Sequence, residues 1–272
     1  MKGNTMDLGL TDKVAVVTGG SRGIGKAVAR QLAHEGVDVA LVARGKETLD
    51  ATAKELHDET GRRFITIVAD TGEDADVKHM AEEAAAAFGH IDILVNSAAQ
   101  PGGFTANPKL ADITNEHFFS DMNIKVMGYL RCCREVAPYM QRQGWGRIIN
   151  ISGLAARQSS GSPIGSMRNV ALVALTKNLA DDLGPYGINV TVIHPGLVKT
   201  ERWADRMALM SRQQNISEAE VEMRMAQGNS IQRIIDADDI ASIVTFLASP
   251  RSVAITGDVI PAGGGAGRAI YY

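Results

Sequence analysis

Cysteine is almost missing from this chain: there are two in 272 residues, Cys132 and Cys133, and they are neighbours. Adjacent cysteines are badly placed for an unstrained disulfide, which excludes a cross-linked secreted framework and leaves a reducing compartment as the expectation. Aromatic residues are scarce too, 5% of the chain, so little is available to build a stacking surface for bases. Neither sign of charge dominates. With 28 Lys+Arg against 31 Asp+Glu the net charge is -3, and no basic field of the kind that attracts phosphate backbones is expected. No apolar run approaches bilayer length, and the start MKGNTMDLGLTDK lacks the apolar stretch of a signal peptide. These absences predict a cytoplasmic protein with no membrane and no nucleic-acid partner, working on a small molecule.

Glycine is what the chain has in quantity, 28 residues, beside a 45% hydrophobic share that can fill a sizeable core between many tight turns. Lys13 to Thr18 is short, β-branched and nearly all apolar, and Gly19-Gly20 stops it, which predicts a strand buried on both faces. A helix follows from Gly23 to about Glu35, and the alternation then repeats. Strands are expected at Val37 to Val42, Phe64 to Ala69 and Ile91 to Asn96, with helices at Lys46 to Thr60 and Asp74 to Phe88. An irregular segment runs on through Thr114. Beyond it the pattern predicts a helix over Glu116 to Arg142, a strand at Arg147 to Ile151, a helix over Pro163 to Leu183 and a strand at Ile188 to Ile193. A helix at Asp238 to Ala248 and a strand at Ile255 to Ile260 end it. Strands joined by helical crossovers make an α/β fold with a doubly wound parallel sheet, whose ligand crevice lies at the carboxyl ends of the strands. Residues 199–230, polar and rich in Met and Arg, read either as a mobile substrate lid or as a loosely packed surface helix pair.

The first strand-to-helix turn, Thr18-Gly19-Gly20-Ser21-Arg22-Gly23-Ile24-Gly25, offers free backbone N–H groups and a positive dipole end to a pyrophosphate. Its place between first strand and first helix makes it a cofactor site rather than an idle turn. At the end of the second strand, where an acid would read the ribose hydroxyls of NAD, the sequence has Val42-Ala43-Arg44. Ala43 removes the repulsive carboxylate, and Arg44 with Arg22 suits a 2′-phosphate, because a guanidinium fork matches phosphate oxygens. NADP(H) is therefore expected in preference to NAD(H).

These motifs, spread over essentially the whole chain, resemble the short-chain dehydrogenase/reductase family. The resemblance implies a single Rossmann-like domain spanning residues 1–272 that moves a hydride to or from a carbonyl or alcohol. Gly19, Ser21, Arg22, Gly23, Ile24 and Gly25 match the family's glycine motif, and Asp70, followed by Thr71, matches the acid that reads the adenine. Asn96-Ser97-Ala98-Ala99 is a degraded Asn-Asn-Ala-Gly, so Asn96 and Ala98 join the cofactor set. Pro195, Gly196, Val198 and Thr200 match the segment that flanks the nicotinamide, and Ile255-Thr256-Gly257 with Gly263-Gly264 resembles the last strand and turn. Asn123 matches the Asn of the catalytic tetrad. By the same resemblance a homo-oligomer, dimer or tetramer, is expected through the two long helices.

The catalytic half departs from the pattern. In the family a Tyr acts as general acid or base, a Lys four residues later lowers its proton affinity and holds the ribose, and a Ser orients the substrate oxygen. Counting back from Leu175-Thr176-Lys177-Asn178-Leu179-Ala180 puts Gly165 at the Tyr position and Asn169 at the Lys position, and neither side chain can do the family's work. Ser152 is the candidate serine, and Gly153 takes that place if no gap is allowed. Ser166, Arg168, His194 and Lys125 are within reach of the crevice, and each is expected to be a cap, a surface charge or a satisfied buried group. No metal site is expected, because the six histidines show no ligand spacing. Two readings stay open: an NADP(H)-dependent oxidoreductase with a degenerate active site, its missing donor replaced, or an NADP(H)-binding protein that reduces nothing and serves as a sensor, a regulatory subunit or an enzyme of another class.

Overall fold

The computed structural model describes residues 6–99, 110–159, 162–267 and 270. Seven parallel strands form its main sheet: β1 (Val14–Thr18), β2 (Asp38–Ala43), β3 (Phe64–Val68), β4 (Ile93–Asn96), β5 (Gly146–Ile151), β6 (Ile188–Pro195) and, closing one edge, Val259–Ala262. The last is β9, because Val198–Lys199 (β7) and Ile235–Asp236 (β8) pair separately as a short two-stranded ribbon. The spatial order is β3-β2-β1-β4-β5-β6-β9, so the winding direction reverses between β1 and β4. This is the Rossmann-like α/β fold expected from the alternation, and the reversal point opens a crevice beyond the carboxyl ends of those strands.

Alternation along each strand explains the two-layered core. Ala15 and Val17 of β1, Val39 and Leu41 of β2 and Ile149 of β5 face one side, where they pack with Val28 and Leu32 of α1 (Gly23–His34), Leu49 and Leu56 of α2 (Lys46–Thr60) and Val244 of α9 (Ala237–Ala248). Val16, Ala40, Val42, Leu94 and Ile148 point the other way, onto Met80 of α3 (Asp74–Phe88), Val136 and Met140 of α5 (Gly128–Gln143) and Leu183 of α6 (Pro163–Leu183). Side chains two apart share a face, so a parallel sheet covered on both sides needs apolar residues at nearly every position.

The helices over Lys46–Thr60, Asp74–Phe88 and Pro163–Leu183 have the expected bounds. The helix expected over Glu116 to Arg142 does not: it is α4 (Asn115–Met122), a π turn at Asn123–Met127 and then α5. The wide turn takes up an additional residue and re-aims the side chains it carries. Gly128, just after it, lets α5 pass close to Thr71, since a Cβ there would lie 3.0 Å from the Thr71 carbonyl oxygen. The last strand begins at Val259 rather than Ile255, and most of the irregular segment through Thr114 lies outside the described residues. Residues 199–230 hold two helices, α7 (Trp203–Gln214) and α8 (Glu218–Ala226). No helix among the described residues is long and apolar enough to cross a membrane.

Gly25 shows how tightly α1 seats against the turn that follows β1: a Cβ added there would stand 2.3 Å from the Gly19 carbonyl oxygen. Gly25→Ala is expected to destabilise the fold by about 1–3 kcal/mol, the usual cost of overpacking, read as a lower denaturant midpoint at unchanged slope.

Candidate functional site

At the end of β1 the chain turns through Gly19 (φ +67°) and Gly23 (φ +54°), a left-handed conformation that glycine adopts without strain. Thr18 Oγ1 accepts from the backbone N–H of Ser97 at 3.1 Å and of Ala98 at 3.2 Å, which fixes the loop after β4 against this turn. The N-cap residue Arg22 makes no side-chain cap, so the first turn of α1 keeps its N–H donors for another acceptor. Glu201 supplies one: both its carboxylate oxygens accept from Gly23 N–H, at 3.0 and 2.9 Å. A carboxylate already stands where the sequence places a pyrophosphate, and the donors and dipole that hold it suit phosphate oxygens equally well.

A cleft of about 910 Å³ extends from this turn along the carboxyl ends of the strands. Of the sequence-based cofactor set, Gly19, Ser21, Arg22, Gly23, Ile24, Arg44, Asp70, Thr71, Ala98, Pro195, Gly196, Val198 and Thr200 line it. Gly25 and Asn96 do not. Gly25 lets α1 pack against the backbone of Gly19 and Gly20, and Asn96 is fully buried beneath the cleft, donating to Asn150 Oδ1 at 3.0 Å. Asn150 in turn donates to Thr176 Oγ1 at 3.0 Å, so the three tie β4, β5 and α6 together. Arg22 and Arg44 flank one corner with Ala43, Gly45 and Thr48. Arg22 donates to Thr48 Oγ1 at 3.2 Å, and Arg44 pairs with Asp70 at 3.7 Å in a largely exposed contact.

At the other end Ser152 extends the β5 ladder by donating its N–H to the Ile193 carbonyl at 2.8 Å, and its hydroxyl donates to the Asn169 carbonyl at 3.2 Å. Ser152, Gly153 and Asn169 line the cleft. Gly165 does not: it is the third residue of α6, its N–H held by the capping hydroxyl of Ser162 at 3.2 Å. Asn123 also stays off the cleft, since its amide donates to the Gly72 carbonyl at 3.2 Å. Two residues on, the π turn carries Lys125 into the cleft wall, 5% exposed, with Nζ donating to the Ser152 carbonyl at 3.0 Å. Burial, reinforced by Arg168, lowers the ammonium to about 7. Arg168 itself pairs with Asp121. His194 is fully buried behind the cleft lining, and burial with help from Arg157 pushes its imidazole down to about 4, so it is neutral near pH 7. Cys132 and Cys133 lie in α5, and burial pushes both thiols up, against redox work.

Two residues of this site lie outside the set read from the sequence, Glu201 and Arg206. Glu201 is distant in sequence from the turn it caps. Arg206 of α7 lines the cleft as well, with its Nε buried and unpartnered among the described residues. Lys125, expected within reach of the crevice as a surface charge or satisfied group, is instead buried in the cleft wall, and the sequence signal for that burial is its place among Ile124, Val126 and Met127.

The model of a family described as enoyl-(acyl carrier protein) reductase matches residues 19–267. The short-chain reductase protein NovJ of Streptomyces niveus is 34% identical over 257 residues, covering 93% of this chain and 94% of that protein. Dehydrogenase/reductase SDR family member 4 of Homo sapiens is 35% identical over 259 residues, covering 94% of this chain and 88% of its own. Among solved structures, the L-sorbose reductase of Gluconobacter frateurii complexed with NADPH and L-sorbose superposes with a TM-score of 0.91 at 29% identity, covering 97% of this chain and all of that one. An NAD+-bound xylitol dehydrogenase gives 0.85 at 28% identity, covering 94% and 99%.

Removing the competing carboxylate with Glu201→Ala is expected to tighten binding of a nicotinamide dinucleotide roughly 2- to 10-fold, the worth of about one net hydrogen bond, as read by titration. His194 gives a pH signature of stability. Its folded value lies below that of the unfolded chain, so below about pH 6.5 the unfolded chain takes a proton that the folded one refuses. The contribution is therefore lost as pH falls from about 6.5 towards 4, and His194→Gln should flatten that part of the stability curve relative to the parent.

Proposed function

The chain belongs to the short-chain dehydrogenase/reductase family, and from that premise we propose that it is an NADP(H)-dependent oxidoreductase of small carbonyl compounds or alcohols. The observation that carries the cofactor preference is the corner built from Ala43, Arg44 and Arg22, where two guanidinium groups and no acid from β2 line one end of the cleft. The Arg44–Asp70 contact is long and exposed, a kind of pair worth about 0–1 kcal/mol, so Arg44 turns to a 2′-phosphate at little cost.

On this reading the turn Gly19 to Gly23 holds the pyrophosphate after Glu201 withdraws, Asp70 reads the adenine, and Val198 and Thr200 meet the carboxamide. The bound nicotinamide supplies or accepts a hydride. Ser152, which lines the cleft, orients the substrate oxygen by turning its hydroxyl from the Asn169 carbonyl towards it. Residues 199–230 act as a lid over the site, with Trp203, Arg206 and Met225 lining the cleft from α7 and α8. Glu222 of α8 ties the two helices together by accepting from Trp203 Nε1 at 3.0 Å and pairing with Lys199. Pairing of α5 and α6 between copies accounts for the exposed Met167 and Val170 on α6, and gives a homo-oligomer by mass in solution.

Fluorescence titration tests the cofactor reading. NADPH is expected to bind at least tenfold tighter than NADH, and Arg22→Ala and Arg44→Ala should each weaken NADPH about tenfold or more while leaving NADH unchanged, as loss of a charge-assisted hydrogen bond requires. Equal affinities for the two nucleotides overturn the preference, and binding of neither returns the lead to a non-redox role.

A further inference from the structure

When a carbonyl carbon gains a hydride, its oxygen becomes an alkoxide that needs a proton, and a site without a tyrosine must draw that proton from another group. Among the described residues that line the cleft, the ionisable ones are Asp70 and Glu201 at the nucleotide end, several arginines, and Lys125. Arginine keeps its proton at all working pH values. Tyr129 and His194 lie close in the fold but do not line the cleft, and the Tyr129 hydroxyl is spent on the Ile151 carbonyl at 3.0 Å. Asn169 lines the cleft but does not titrate. Lys125 is left as the cleft-lining group, at the Ser152 end, that can give up a proton near neutral pH.

We propose that Lys125 is the proton-transfer residue of this site, reaching in from the π turn to do the work that Gly165 and Asn169 cannot. The inference rests on the reductase reading above. The geometry supports it in three ways. The π turn Asn123–Met127 directs the side chain into the cleft wall, and its Nζ is fixed by the Ser152 carbonyl at 3.0 Å, next to the hydroxyl that orients the substrate oxygen. No carboxylate among the described residues pairs with it: Asp121, the acid that acts on it, is engaged by Arg168. The charged and titratable groups facing it are Arg168 of α6 and Asp121 of α4, with neutral His194 behind. Burial and the Arg168 charge together depress its proton affinity to about 7, where a general acid is most effective.

The step balances. The carbonyl carbon takes the hydride and its electron pair from reduced nicotinamide, which is oxidised; one N–H bond of the Lys125 ammonium breaks, and its proton goes to the substrate oxygen. The neutral amine then regains a proton from solvent. In the direction of alcohol oxidation the amine takes the hydroxyl proton instead.

Two measurements test this on the full chain. In a chain labelled with 13C-lysine, the Cε resonance missing from Lys125→Met, checked against Lys125→Arg, is followed with pH in the presence of NADPH. An inflection between pH 6 and 8 is expected, and one near 10.4 overturns the proposal whatever the activity. In parallel, NADPH oxidation is followed with a panel of ketoses, β-ketoacyl thioesters and aromatic ketones. Lys125→Met is expected to keep NADPH binding while losing about 10²–10⁴-fold in rate, and the parent's reduction rate should fall as pH rises through about 7. A variant as fast as the parent overturns the role of Lys125 and leaves the reductase reading standing. A parent that binds NADPH but oxidises it with no member of the panel overturns the reductase reading, and the proposal built on it.

Discussion

All strands of the main sheet run the same way, and this single constraint brings the chemistry together. A parallel sheet must be covered by helices on both faces, so every crossover enters from the same rim and every strand delivers its carboxyl end to the opposite one. The glycine turn after β1, Ala43-Arg44 after β2, Asp70-Thr71 after β3, Ala98 after β4, Ser152 after β5 and Pro195-Gly196 at the end of β6 therefore border one cleft, although nearly 180 residues separate the first from the last. Where the order reverses between β1 and β4, two neighbouring crossovers depart to opposite faces and leave room for a ligand. Thr18 holds that gap at fixed width by receiving the N–H groups of Ser97 and Ala98.

The rim is electrostatically divided. Its nucleotide end is built of helix N-terminal backbone donors and two exposed arginines, which suits anions, and Glu201 fills the part nearest α1 from the segment that also begins α7. One contact therefore joins the glycine turn to the segment that precedes α7: an anion taking the Gly23 N–H would compete with Glu201 for it. At the other end Lys125, Ser152 and Asn169 are buried side by side, and there burial is the main cause that shifts proton affinities. His194 and Lys125 both lose affinity for the proton for that reason.

How much of this was legible in the sequence follows from how local each cause is. The helices Lys46–Thr60 and Asp74–Phe88 end where Gly61 (φ +69°) and Gly89 (φ +86°) take the left-handed conformation, and Pro163 opens α6 behind a capping serine; these signals lie within one turn of the boundary they set. The glycine turn was legible for the same reason. The π turn was not, because a wide turn has no distinctive residue preference and α4, the turn and α5 follow one another without a glycine or proline at the first break. Asn96 reads as a cofactor residue because Asn96-Ser97-Ala98-Ala99 resembles the family's Asn-Asn-Ala-Gly, yet its amide is committed below the cleft to Asn150, a partner 54 residues away. Glu201 and Gly23 are 178 residues apart, and nothing short of the fold puts them in contact.

The absence of a tyrosine at position 165 and a lysine at 169 is best understood through what that pair accomplishes. A phenol titrates near 10, and a neighbouring cation is needed to bring it towards neutrality, so two side chains on one helix face are spent to obtain one usable proton. A buried lysine reaches the same point alone, since desolvation penalises its charged form directly. A nearby carboxylate works against this, and Arg168 offsets it twice, by pairing with Asp121 and by adding a like charge whose effect on Lys125 outweighs that of the acid. A neutral Asn169, in place of a second cation on α6, leaves the cleft wall able to accept the ammonium form when the proton returns.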